Sequence, residues 1–205
     1  MELKQAIESR TSIRVYKKDP VPLNDLKELV RLGNLAPSIA DSRPWTFIIV
    51  TNKTLLEDMA RKVVRQLETV PENESKAAKN VKSQVEWFAT FFQDAPALIA
   101  VAMTNYESVL EKGVKLEHDE INRMRNYPDI QSAGACIQNM LLAATDMGYG
   151  ACWMSAPMMA RESLEKMLGL DERFSLTAFI AVGVPASIPP KKPAKDIDDI
   201  VRVIE

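Results

Sequence analysis

Pro128-Asp129-Ile130-Gln131-Ser132-Ala133-Gly134-Ala135-Cys136-Ile137-Gln138-Asn139-Met140-Leu141-Leu142-Ala143-Ala144-Thr145-Asp146-Met147, followed by Gly148, is the longest helical signal in the chain. Proline in the first turn loses no hydrogen bond, Asp129 complements the positive helix start, and Gly148 supplies the stop. Ile130, Ala133, Ile137, Met140, Leu141, Ala144 and Met147 recur at helical spacing, while Ala135, Cys136, Leu142 and Ala143 make much of the remaining surface apolar. A helix of that kind is expected to be buried nearly all round, as the centre of a core or as an element that also meets a second subunit.

Short apolar runs flank it in sequence. Thr46 to Thr51, Ala97 to Thr104, Tyr149 to Met154 and Leu176 to Val184 are rich in Val, Ile and Phe and predict four strands. The second and fourth are apolar on both faces, the pattern of mid-sheet strands covered by helices on each side. A layered α+β domain follows, rather than a sandwich with one wet face. Helices are expected from about Glu2 to Glu8 and from Leu23 to Leu35, the latter with Leu26, Leu29, Val30 and Leu32 on one face before Pro37. A further helix from about Ser75 to Gln93 presents Val81, Val85, Phe88 and Phe92 on one side, with Trp87 and Phe91 near its edge. These side chains either pack in the core or wall a ligand cleft. Residues 105–127 are charged and weakly periodic, and read as a surface insertion or lid holding one or two short helices.

Length and composition exclude several classes. A chain of 205 residues, 46% hydrophobic, suits a single domain over 1–205 that buries about 70% of its unfolded surface. Cys136 and Cys152 have neither C-x-x-C nor zinc-ligand spacing, so a disulfide framework is not expected and a reducing compartment fits. The start, Met1-Glu2-Leu3-Lys4-Gln5, is charged, and no apolar run approaches the roughly 20 residues a bilayer span needs. A soluble cytoplasmic protein with no membrane partner is the expectation. The net charge of -2 offers no general attraction for a polyanion, which argues against a nucleic-acid partner. Only one histidine exists, His118, in the solvated-looking run Leu116-Glu117-His118-Asp119-Glu120, so Ser/His/Asp or Cys/His catalysis lacks its base. No phosphate-loop motif is present, and Gly148-Tyr149-Gly150 precedes a strand with the wrong spacing for a dinucleotide fold.

Four segments retain chemistry. Ser9-Arg10-Thr11-Ser12-Ile13-Arg14 sets two guanidiniums beside three hydroxyls, the donor types that grip a phosphate, or else forms a solvated basic turn. Ala36-Pro37-Ser38-Ile39-Ala40-Asp41-Ser42-Arg43-Pro44-Trp45 is a polar loop between a helix and a strand, an ordinary connection or a functional one on a rigid support. Cys152-Trp153-Met154-Ser155-Ala156-Pro157 ends the third strand in small residues that would let a flat ligand approach the backbone, or simply make a turn. Lys191-Lys192-Pro193-Ala194-Lys195 is a basic stretch of the kind usually found in a solvated tail.

Taken in order, these segments resemble the nitroreductase-like flavoprotein family. The likeness runs through Arg10, Ser12 and Arg14, then Ala36 to Ser38, Pro44 to Trp45, Gln138 to Ala144, Met147 to Trp153, and Ala181-Val182-Gly183-Val184-Pro185. It implies a three-layer α/β/α fold with a central mixed sheet flanked by helices. It also implies an interlocked homodimer in which residues 186–205 extend toward the partner, and an FMN at each of two interface sites. On that resemblance Arg10 and Ser12, with Thr11 between them, would hold the FMN phosphate, and Arg14 would lie near the pyrimidine edge. Pro37, Ser38, Ile39 and Asp41 would reach the flavin from the partner subunit. Met154, Ser155 and Ala156 would complete the pocket, the backbone of the last two meeting N5, and Lys192 with Lys195 would close on the phosphate. A cation near N1 favours the anionic reduced flavin, and a donor at N5 steadies the atom that exchanges hydride. No side chain is implied as catalytic, and no metal.

The family commonly has Asn where this chain has Asp41, and Gln where it has Arg43. A carboxylate beside reduced flavin disfavours its anionic form unless Arg43 or Arg14 neutralises it. The resemblance implies an oxidoreductase in which NADH or NADPH reduces bound FMN and a nitroaromatic or quinone then takes the electrons by a ping-pong route. Rival readings are a specialised relative, reductively dehalogenating or oxygen-using, a flavin store without turnover, and a non-flavin interaction protein.

Overall fold

Strands apolar on both faces must be covered on both sides, and the computed structural model, which describes residues 1–71, 76–106, 109–191 and 193–205, shows how this is done. The chain opens with α1 (Leu3–Ser9) and α2 (Leu23–Gly33), then a 3₁₀ turn at Ile39–Asp41, β1 (Trp45–Val50), α3 (Lys53–Glu68) and α4 (Lys76–Thr90). A 3₁₀ turn at Phe91–Asp94 leads into β2 (Ala97–Thr104). Another at Val109–Lys112 precedes α5 (His118–Met124), α6 (Pro128–Asp146) and β3 (Gly150–Met154), and the turn Ala156–Ala160, α7 (Arg161–Leu168) and β4 (Phe174–Gly183) follow. The expected Ser75 start of the fourth helix lies outside the described residues, as do residues 107 and 108 of the charged insertion.

The strand order is β1-β2-β4-β3. As expected, β2 and β4 are the central strands. All three pairings are antiparallel, so the expected mixed sheet is corrected. Among the described residues, parallel pairing is confined to the isolated bridge Ser12↔Ala151. Alternate residues of the central strands feed two separate cores. Leu98, Ala100, Phe179 and Ala181 join Leu56, Met59 and Val63 of α3 and Leu164 of α7. Ile99, Val101, Ile180 and Val182 join Leu26 and Leu29 of α2 and Ile137 and Met140 of α6. The layering of helices on both faces follows directly from that alternation.

Gly33 lets α2 settle on α6, because a Cβ there would stand 2.5 Å from Met140 Cε. The face of α6 carrying Ala133, Cys136, Ile137, Met140, Leu141 and Ala144 is buried. Its other side is not: Ile130 is 46% exposed, and Ala135, Leu142 and Ala143 are half-buried, so within one chain the helix is not enclosed all round. The core-packing alternative for Val81, Val85 and Phe88 is likewise corrected, since all three are exposed with Trp87; only Phe91 and Phe92, in the turn after the helix, are buried.

Two helices had no forecast from the sequence. For α3 a signal existed: the Asn52 side chain accepts from the Leu55 amide at 3.1 Å, capping a run in which Leu56, Met59, Ala60, Val63 and Leu67 are buried. The insertion contains the expected short helix. Its histidine is not solvated, however. His118 Nδ1 lies 2.7 Å from Glu111, its ring meets Tyr106 edge-on at 5.0 Å, and it ties α5 to the preceding turn. Among the described residues no helix is long and apolar enough to cross a membrane.

Candidate functional site

The segment after α1 is stitched to the sheet. The Ile13 amide donates to the Ala151 carbonyl at 3.1 Å, Ser12 pairs with Ala151, and the Lys17 amide donates to Val184 at 2.8 Å. Close approach is possible because Gly150 has no side chain: a Cβ there would lie 2.6 to 2.7 Å from three Ile13 atoms. Tyr16 fastens the other end of the segment, its buried hydroxyl donating to Ile13 at 2.5 Å and contacting the Ala181 carbonyl at 3.2 Å. Burial pushes that phenol well above its ordinary pKa, so it stays a neutral donor.

This stitching brings Arg10, Ser12 and Ser155 to one cleft of about 360 Å³, together with Gln138, Leu141 and Trp153. Three of the residues expected from the sequence therefore meet, with Thr11 half-buried between two of them. Gln138, Leu141 and Trp153 had no assigned role. Their signal was weak: a polar residue on an apolar helix, and a Trp that is 45% exposed where β3 is otherwise buried. Cys152 lies beneath the same segment. Burial raises its thiol pKa, while Arg14, Ser12 and Arg10 pull the other way, so the neighbourhood is electropositive.

The remaining expected residues divide. Arg14 lines a separate cavity, with its Nη1 3.4 Å from the Ser12 carbonyl and its guanidinium 5.4 Å from the Phe88 ring centre. The Met154 side chain is buried in the core, and Ala156 is half-buried against that core. Pro37, Ser38, Ile39 and Asp41 are not among the residues lining the Arg10 cleft of their own chain. Their loop is held instead by Ile39 N–H to Ser132 Oγ at 3.0 Å and Arg43 N–H to Ser38 Oγ at 2.9 Å. Ala40, Asp41 and Arg43 have φ of 50°, 50° and 45°, a left-handed backbone that costs roughly 1–2 kcal/mol per residue outside glycine. Asp41 pairs with Arg43 at 3.3 Å, which answers whether its charge is met locally. Lys195 is exposed in the C-terminal tail, and Lys192 lies outside the described residues.

A guanidinium, a hydroxyl and a polar turn around an open cleft suit the phosphate and ribityl end of a flavin nucleotide, and the small residues after β3 suit the approach of a flat ring. Comparison with known proteins agrees on the lineage. The family model described as "Nitroreductase family" matches residues 7–184. A candidate NADH dehydrogenase/NAD(P)H nitroreductase of Methanothermobacter thermautotrophicus is 28% identical over 204 residues, covering 98% of this chain and 86% of that protein. Iodotyrosine deiodinase of Hydra vulgaris is 25% identical over 185 residues, 88% of this chain, and the match spans 64% of the deiodinase's own length. Among solved structures, a BluB-like flavoprotein from Clostridium difficile 630 superposes with a TM-score of 0.88 at 25% identity, covering 100% of both chains. A nitroreductase from Bacteroides fragilis, solved with bound FMN, shares the fold at a TM-score of 0.74 and 20% identity, again over 100% of both chains. The chain belongs to the nitroreductase family of oxidoreductases.

Proposed function

We propose that the chain is an FMN-dependent oxidoreductase that takes electrons from NADH or NADPH and passes them to small acceptors such as nitroaromatics or quinones. The observation that carries this reading is the convergence of Arg10, Ser12 and Ser155 on one cleft through the Ser12↔Ala151 bridge. Arg10 and Ser12, with Thr11 between them, hold the phosphate, and the turn at Ser155 and Ala156 with the Met154 backbone faces the ring. Arg14 serves the pyrimidine edge. FMN supplies the hydride chemistry, so the protein's part is to bind, orient and set charge.

The site is completed by a second copy. Pro37, Ser38, Ile39 and Asp41 reach the partner's flavin, their strained loop held in shape by its hydrogen bonds to Ser132 and Ser38. Residues 186–205 extend onto the partner, where exposed Ile197, Ile200, Val201, Val203 and Ile204 find cover and Lys192 and Lys195 approach the phosphate. Two free buried cysteines suit a reducing cytoplasm. The whole chain acts as one domain, with 105–127 as an insertion braced by His118.

Both substrates use one flavin face, so steady-state double-reciprocal plots at several fixed acceptor concentrations should be parallel, with excess acceptor competing against nicotinamide. Intersecting lines, with a complex holding both substrates, would refute the shared site. The match to iodotyrosine deiodinase favours reductive dehalogenation as a second reading, and halogenated phenols belong in the acceptor panel.

A further inference from the structure

Among the described residues, positive φ outside glycine is confined to two places: Ala40, Asp41 and Arg43 in the loop before β1, and Asn126 and Tyr127 in the turn between α5 and α6. One hydroxyl joins them. Ser132, only 6% exposed, donates to the Pro128 carbonyl at 2.6 Å and accepts from the Ile39 amide at 3.0 Å. The loop therefore rests on the first turn of α6, which begins directly after Tyr127. Left-handed backbone at non-glycine residues persists only where the surroundings over-determine it, and such positions gather at active sites and ligand clamps.

The turn before α6 is pinned by its backbone. The Tyr127 amide donates to the Asn122 carbonyl at 2.7 Å, the Gln131 amide to the Tyr127 carbonyl at 3.1 Å, and Gln131 Nε2 to the Asn126 carbonyl at 2.8 Å. Glycine or asparagine at position 127 would make the same bonds at φ 56° and ψ 64° with less strain. What tyrosine adds is a ring. That ring is 47% exposed, and it has no ring contact and no hydrogen bond from its hydroxyl among the described residues. Of the five strained residues, Asp41 and Arg43 are engaged with each other at 3.3 Å, and Tyr127 is the one with a flat aromatic face to offer a ligand.

We infer that Tyr127 is a specificity-determining residue for the electron acceptor. Carried on the same Ser132-tied clamp as the Pro37–Asp41 loop, its ring lies against a flat aromatic acceptor at the partner's flavin. The inference rests on the proposed function, in which that loop reaches across the dimer. A ring-to-ring contact favours acceptors that have a ring by about three- to tenfold and does nothing for those that lack one.

The test uses FMN-loaded protein whose flavin has been reduced with dithionite, so that no nicotinamide is needed, mixed in stopped flow with 2-methyl-1,4-naphthoquinone or with ferricyanide, which has no ring. The ratio of the naphthoquinone rate to the ferricyanide rate should fall about three- to tenfold in Tyr127→Leu and be restored in Tyr127→Phe. Tyr127→Gly should lose the same factor while unfolding at no lower urea concentration, because it relieves the strained backbone. An unchanged ratio in the Leu and Gly variants would overturn the inference. So would a weakened dimer in Tyr127→Leu, which would place the ring in the subunit interface instead. A chain that binds no FMN would remove the proposed function and this inference with it, whereas flavin that binds normally and shows the same ratio in every variant would remove the inference alone.

Discussion

Arg10 caps the first helix with its backbone and supplies the guanidinium of the cleft with its side chain. Its amide donates to the Ala6 carbonyl at 2.9 Å in any residue with an N–H, so replacing the side chain spares the fold. Arg10→Ala should weaken FMN by about 1.5–3 kcal/mol, the worth of a hydrogen bond to a charged group, with unfolding unchanged. Fluorescence titration of FMN measures it, and equal affinity would remove Arg10 from the phosphate. At this scale the sequence was informative where donor types clustered locally, as in Arg10-Thr11-Ser12. It was poor where a neighbour arrives from a distant element. Gln138 and Trp153 join the cleft only because α6 and β3 pack side by side, and His118 looked solvated because Glu111 and Tyr106, which enclose it, come from the other end of the insertion. The Asp41–Arg43 pair was recognisable as two charges, but their contact depends on three left-handed backbone positions that composition does not encode.

Among the elements, the junction of β3 with the segment after α1 is the one on which the cleft depends. Gly150→Ala would press a methyl carbon into Ile13, whose branched side chain is buried and has little room to turn. Overpacking of this sort costs about 1–3 kcal/mol. The variant should therefore unfold at lower urea and, by pushing Ser12 off Ala151, also bind FMN more weakly. Undiminished stability together with undiminished FMN affinity would show that the stitch does not set the cleft. The strands and α6 were readable within a residue or two because periodicity and Pro or Gly boundaries agree there. Strand direction was not, since it is a property of connections: the resemblance implied a mixed sheet, but all three pairings are antiparallel and the parallel pairing among the described residues is one isolated bridge. The aromatic side of α4 was ambiguous for a physical reason, since a ligand wall and a core face carry the same residues.

For the whole molecule, a single copy leaves business unfinished: one side of α6 is incompletely covered, apolar residues of the tail are bare, and the Pro37–Asp41 loop stands apart from its own cleft. The chain should sediment as a dimer with two FMN per dimer, and a monomer that keeps FMN on dilution would contradict the shared site. The most direct test of the central claim is anaerobic stopped-flow mixing of the FMN-loaded protein with NADH or NADPH, followed by a nitroaromatic or quinone. The flavin absorbance band should bleach with at least one nicotinamide and return when the acceptor is added. A protein that binds no flavin, or a bound flavin that stays oxidised with both nicotinamides, would contradict it.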